Sequence, residues 1–146
     1  MGTLPFLMVS CNNKPTDDLA KDSFAQMISN ESKNHIALIS LSKVNGMTSE
    51  MMGQKMYTYD YNGTLKFQSN AYKEENAFGG GPFTNFSCTD KPDEFSMNPK
   101  IFFKDATVNI SGELSFVKKE NGWELVQNKL KNSQILSNSN PMAGQW

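Results

Sequence analysis

Tyr57, Tyr59 and Tyr61 stand at alternate positions of the stretch Met56–Gln68, MYTYDYNGTLKFQ. Three phenols on one strand face can line a small-ligand pocket, and isomerase-type sites pair such a hydroxyl donor with a carboxylate base. The adjacent carboxylate, Asp60, projects to the opposite face of the same strand. The other use of the three rings is core packing, with the hydroxyls at the rim. Phe78, Phe83, Phe86 and Phe95 follow in a stretch broken by Gly79-Gly80-Gly81-Pro82, Pro92 and Pro99. They either fold back as a lid over an open end of the core or form a rim that meets a ligand, a partner or a membrane surface. Tyr57, Tyr59, Tyr61, Phe78, Phe83 and Phe86 are thus the candidate pocket or rim.

Other reactive groups are sparse. His35 is the only histidine, and Cys11 and Cys88 are the only cysteines. These three make no zinc-type ligand set, and nothing in their spacing supports a Cys88–His35 nucleophile pair. Asp90, Asp93 and Glu94 could hold Ca²⁺ through oxygens, but the D-x-[DN]-x-[DN]-G pattern is absent, so a solvated acidic loop is expected. Gly79-Gly80-Gly81 lacks the G-K-[ST] ending and the following helix of a phosphate loop. No catalytic residue, metal site or cofactor is expected.

Composition narrows the partners. The chain has 146 residues, which suits one domain with a real core. All 14 basic residues are lysines and the net charge is −1. Without arginine the best bidentate ligand for phosphate is missing, and without a basic excess nucleic-acid binding is not expected. The abundance of asparagine reads as the coding bias of an AT-rich genome. The sequons at Asn30, Asn62, Asn85 and Asn109 are expected by chance from that composition and are not read as glycosylation.

The elements that position the tyrosines follow from periodicity. In Met56–Gln68 the odd positions are Tyr57, Tyr59, Tyr61, Gly63, Leu65 and Phe67, and the even ones are mostly polar. That is the alternation of a half-buried strand. Asn62-Gly63 is a strong hairpin signal, but a turn there would throw Leu65 and Phe67 to the face opposite the tyrosines. Parity therefore favours one long strand, bent or bulged at Gly63. Ala106–Val117 repeats the pattern, with Val108, Ile110, Gly112, Leu114 and Phe116 on one face, and is expected to pair with it antiparallel. Asn121-Gly122 is predicted as a type I′ turn, pairing Glu120 with Trp123 and placing Phe116, Trp123 and Leu125 on one face. A last strand should run from Trp123 to about Leu130. Ile36–Val44 reads as the first strand, ended by a turn at Asn45-Gly46. Ala20, Phe24, Met27 and Ile28 form one stripe of a helix from about Asp18 to Glu31, capped by Asp17 or Asp18.

The N-terminus carries an address. Leu4–Ser10 is a short apolar run, well below the length of a membrane span. The tetrad Met8-Val9-Ser10-Cys11 resembles the lipobox of bacterial lipoproteins. It departs from that pattern in having Met8 where leucine is usual, and no Lys or Arg precedes the run. The resemblance implies a lipid attached to Cys11, and Asn12–Asp17 then reads as a polar tether. If Cys11 is acylated, Cys88 is a free thiol; if not, the two could bridge in an oxidising compartment.

One helix followed by long antiparallel strands resembles the cystatin-like and nuclear-transport-factor-like α+β folds. Met52–Tyr59 and Gly112–Trp123 also look like segments of small bacterial secreted proteins with this architecture. The Q-x-V-x-G loop of cystatin inhibitors is missing, so protease inhibition is not implied. The expected organisation is a signal-peptide remnant over 1–11, a tether over 12–17, a single α+β domain over 18–136 with a long loop at 71–99, and a flexible tail over 137–146. The expected fold is one N-terminal helix on a curved antiparallel sheet of about four strands. Two functions remain open. One is a non-catalytic binding module at the bacterial cell envelope, held to the membrane through a lipid anchor and meeting a small molecule or an envelope protein. The other is a small isomerase- or hydrolase-type enzyme using the tyrosine-lined face.

Overall fold

The computed structural model describes residues 14–73, 82–84, 86–88 and 101–139. Helix α1 spans Asp17–Glu31. Its cap is Thr16, one residue before the two aspartates expected in that role. The Thr16 hydroxyl accepts from the Leu19 N–H at 3.1 Å, which leaves Asp17 and Asp18 in the first turn, where negative charge suits the helix dipole. Pro15 is buried as well, so packed structure begins within the stretch expected as a tether. Thr16→Ala is expected to cost about 1 kcal/mol, read as a lower urea midpoint with an unchanged slope.

The helix ends without glycine. Lys33 and Asn34 take positive φ, 54° and 67°. The Asn34 N–H donates to Ser29 O at 2.8 Å and the Lys33 N–H to Asn30 O at 3.4 Å, the bond pattern of a Schellman ending. Ser32 is buried, and its hydroxyl accepts from the Ile36 N–H at 3.1 Å. The chain is thereby turned directly into the first strand. On the inner stripe Ala20, Phe24 and Ile28 are buried, with Met27 packed at the margin.

The main sheet has four strands, β1 (Ile36–Met51), β2 (Gln54–Phe67), β6 (Thr107–Lys119) and β7 (Gly122–Ser137), in the order β1-β2-β6-β7. All neighbours are antiparallel. Strand β2 runs unbroken through Asn62-Gly63, and Tyr57, Tyr59, Tyr61, Leu65 and Phe67 are all buried on one face. Its pairing with β6 has no interruption from Met56↔Val117 to Lys66↔Thr107. The two strand glycines are not opposite each other: Gly63 faces Ile110, and Gly112 faces Tyr61.

Extra residues lie instead on the two edge strands. In β1 they are Ile39 and Val44; in β7 they are Val126, Lys131 and Leu136. Ile39, Val44, Val126 and Leu136 are also exposed large apolar residues. A bulge releases its extra residue from the alternation that would otherwise assign it a face. Bulges also make an open edge a poor template for another strand.

Three expected turns and ends are corrected. Strand β1 does not stop at Asn45-Gly46 but continues to Met51. A β-carbon on Gly46 would overlap the Tyr57 ring and hydroxyl, so this glycine serves packing across the strands. The first hairpin turns at Met52-Gly53, both at positive φ (54° and 80°), between the paired residues Met51 and Gln54. At the second hairpin Glu120 and Asn121 are the loop, Lys119 pairs with Gly122, and Gly122 alone has positive φ, 119°. Trp123 therefore faces Lys118 rather than Glu120. The register moves by two residues, so Phe116, Trp123 and Leu125 still share a face. Finally, β7 extends seven residues beyond Leu130 to Ser137, because it follows β6 to its start: Ile135 faces Val108 and Ser137 faces Thr107.

The segment expected as a loop contributes structure too. Strands β3 (Ala71–Lys73), β4 (Phe86–Cys88) and β5 (Ile101–Phe102) form a second sheet in the order β4-β3-β5. It closes one end of the core. Phe67 stacks on Phe102 at 4.6 Å, and Phe86 meets Phe67 edge-on at 5.5 Å. Such ring pairs add to simple area burial. Asn138 ties this sheet to the end of β7, its side chain accepting from the Phe103 N–H and donating to Ile101 O, both at 3.1 Å.

Candidate functional site

The three tyrosines lie beneath α1 and fill the space there. Tyr57, Tyr59 and Tyr61 are 6%, 4% and 1% exposed. Phe24 of the helix meets Tyr61 edge-on at 4.9 Å, and Tyr59 stacks on Phe116 at 6.0 Å. The Tyr61 hydroxyl donates to Asn128 Oδ1 at 3.0 Å, which satisfies it inside the core. Lys43 lies over the rings of Tyr57 and Tyr59, with Nζ 5.6 Å and 6.0 Å from their centroids, and donates to the Tyr57 hydroxyl at 3.5 Å. Burial pushes the Tyr59 phenol well above its ordinary pKa, and the charge of Asp17 adds to the effect. Burial likewise raises Tyr61, with Tyr59 contributing. Both phenols therefore stay protonated through the neutral range and can donate but not act as bases.

Phe83 and Phe86 are core residues as well, at 0% and 5% exposure. Phe83 meets Phe24 edge-on at 5.9 Å. Its N–H donates to Glu31 Oε1 at 3.4 Å. Burial raises the Glu31 pKa, and this hydrogen bond opposes the shift. Phe78, Phe95, Cys11 and the acidic group Asp90, Asp93 and Glu94 lie outside the described residues. Cys88 sits on β4 opposite Ala71. His35 precedes β1, with Nδ1 3.0 Å from Ser69 Oγ, a strand-end role that joins α1 to the end of β2. Among the described residues no cluster of three His, Cys, Asp or Glu could hold a metal ion, and no helix is long and apolar enough to cross a membrane.

Sequence reasoning did not find a surface groove beside the helix. It runs between α1 (Gln26, Met27, Asn30) and the β6–β7 hairpin (Glu120, Trp123, Leu125), with a volume of about 740 Å³. A second hollow of about 340 Å³, bordered by Glu50, Lys55 and Met56, also meets Trp123. Trp123 is half-buried, edge-on to Tyr57 at 6.5 Å and under Lys118 Nζ at 5.6 Å. Its indole Nε1 is buried with no hydrogen-bond partner among the described residues. Trp123 beside Asn121-Gly122 marked the hairpin in the sequence. That the hairpin lies beside the outer flank of α1 was not visible, because it depends on how the helix crosses the sheet.

No protein family matches this chain, and no curated protein matches it.

Proposed function

We propose that this chain is a small bacterial lipoprotein whose acylated Cys11 holds a non-catalytic binding domain at the cell envelope. The observation that carries the non-catalytic part is the filled tyrosine face. The three rings are 6% exposed or less and pack beneath the helix, and burial keeps the phenols of Tyr59 and Tyr61 protonated. The enzyme alternative needed an open pocket with a carboxylate or histidine aimed at Tyr57 or Tyr59; the charge of Asp17 on the helix does act on Tyr59, but that ring is only 4% exposed. Binding would use the outer surface, where a small molecule or an envelope protein can reach the groove beside Trp123.

The address rests on Met8-Val9-Ser10-Cys11. Because Pro15 and Thr16 belong to the domain, only Asn12–Lys14 separate it from the cysteine, roughly 10 Å of extended chain. A domain so tethered stays against the bilayer. The same proposal includes a curved, cystatin-like or nuclear-transport-factor-like sheet. The bulges of β1 and β7 support it, since bulges and strand glycines are the devices that bend a sheet.

Expression of the full-length gene with Cys11→Ser tests the anchor. The wild type should fractionate with membranes and carry lipid on Cys11 by mass spectrometry, and the variant should leave the membrane fraction. Equal solubility of the two, with no lipid on Cys11, would overturn the proposal.

A further inference from the structure

The pair Asn-Gly occurs three times, at Asn45-Gly46, Asn62-Gly63 and Asn121-Gly122. In this pair the asparagine readily loses its side-chain amide, because glycine has no β-carbon to shield its backbone nitrogen from the carbon of that amide. The fold treats the three pairs differently. Asn62 and Gly63 lie in β2, between β1 and β6, with Asn62 facing Ser42 on one side and Ser111 on the other. The backbone groups of such an inner strand are committed to ladders on both sides. Asn45 and Gly46 lie in β1, facing Asp60 and Tyr59, and the Tyr57 ring fills the space at Gly46. Of the three, Asn121 alone stands outside the paired strands. It is the second residue of the two-residue loop between Lys119 and Gly122, and it is exposed. Gly122 takes a φ of 119°, and nothing beyond its chain neighbours lies within 4 Å of where a β-carbon would stand.

Loss of the amide requires the peptide between the two residues to rotate until the glycine nitrogen reaches the side-chain carbon. In a strand that rotation breaks ladder hydrogen bonds, so the residue reacts only while its pairing is open. In the loop at Asn121 it disturbs little beyond the turn itself. The Gly122 nitrogen gives its proton to solvent and attacks Asn121 Cγ. The bond from Cγ to Nδ2 then breaks, and that nitrogen takes a proton from solvent and leaves as ammonia. The ring so formed takes up water and opens to aspartate or to isoaspartate. Water enters and ammonia leaves, with no oxidant or other reactant.

We propose that Asn121 is a modification site of the folded protein, converting spontaneously to aspartate or isoaspartate while the sheet holds Asn45 and Asn62 unreactive. The consequence falls on the groove beside Trp123. Glu120, Asn121 and Glu124 all border it, so the change adds a carboxylate to a rim that already carries those of Glu120 and Glu124. The isoaspartate form also adds a carbon to the main chain of the loop, which pulls on the Lys119–Gly122 pair next to Trp123. The groove thus changes with the age of the molecule. The site depends on neither the lipid anchor nor a ligand.

Ageing the full chain in mildly alkaline buffer tests the site, with peptide mapping by mass spectrometry and labelling by an isoaspartyl methyltransferase as readouts. Position 121 should convert at least about tenfold faster than Asn45 or Asn62, since a strand residue waits for its pairing to open. In concentrated urea the three should convert at similar rates. Asn121→Gln keeps a carboxamide but sets its carbon one bond further from the Gly122 nitrogen. It should remove most of the labelling of the folded chain and leave the unfolding midpoint close to that of the parent. Conversion of Asn45 or Asn62 ahead of Asn121 in the folded chain would overturn the proposal. So would an equal preference for Asn121 in urea, which would trace it to local sequence rather than to the fold.

Discussion

Phe24→Ala should lower the stability of the domain by about 3–5 kcal/mol, the range for a large buried aromatic. Phe24 is fully buried and is the point where the helix is keyed into the sheet. Its ring contacts Tyr61 of β2 and Phe83 of the segment leading to β4. Deleting it leaves a cavity bounded by three different elements, and such a cavity cannot collapse without moving the helix. Urea unfolding monitored by the tryptophan signal and by far-ultraviolet circular dichroism would measure the loss. A change under about 1 kcal/mol would show that the helix is not seated on this ring.

Gly112→Ala should also destabilise strongly, although it adds only a methyl group. A β-carbon there would overlap the backbone oxygen of Lys129 and sit 3.0 Å from the Tyr61 hydroxyl. The first contact is with the main chain of β7, which cannot swing aside as a side chain does. Gly112 lies next to the register shift at Lys131, so the neighbouring strand is already displaced toward it. Overpacking of this kind costs about 1–3 kcal/mol and sometimes more. The Tyr61–Asn128 hydrogen bond stands in the same place, and its loss would add to the cost. Chemical-denaturation midpoints of the variant and wild type decide the matter. Equal midpoints would mean that β7 does not approach Gly112 so closely.

Much of the architecture was legible because it depends on period and parity. The stripe Ala20, Phe24 and Ile28 is set by the 3.6-residue repeat, and it is buried as expected. The unbroken β2 followed from a two-residue period alone, since a turn at Asn62-Gly63 would have split its apolar face. The same rule kept Phe116, Trp123 and Leu125 together even though the second hairpin turned elsewhere. Parity survives any error of two residues.

What failed was local turn chemistry. Asn-Gly occurs at positions 45, 62 and 121, and none of the three forms the central pair of a turn. The pair that does is Met52-Gly53, which carries a weaker signal. The preference of Asn-Gly for positive φ is small beside the free energy of a long strand pairing. Gly46 instead sits under the Tyr57 ring, and a close approach between residues eleven apart in sequence leaves no trace in the local pattern. The small second sheet was missed for a related reason. Strands of two or three residues are too short to show a period, and Phe83 and Phe86 enter the core only because α1 and β2 leave that end open for them. The sequence by itself determined which residues face the core in the helix and the long strands, because alternation is a property of each segment alone. The tertiary structure decided where the chain turns and that the tyrosine face is filled rather than open, because both depend on which segment lies opposite.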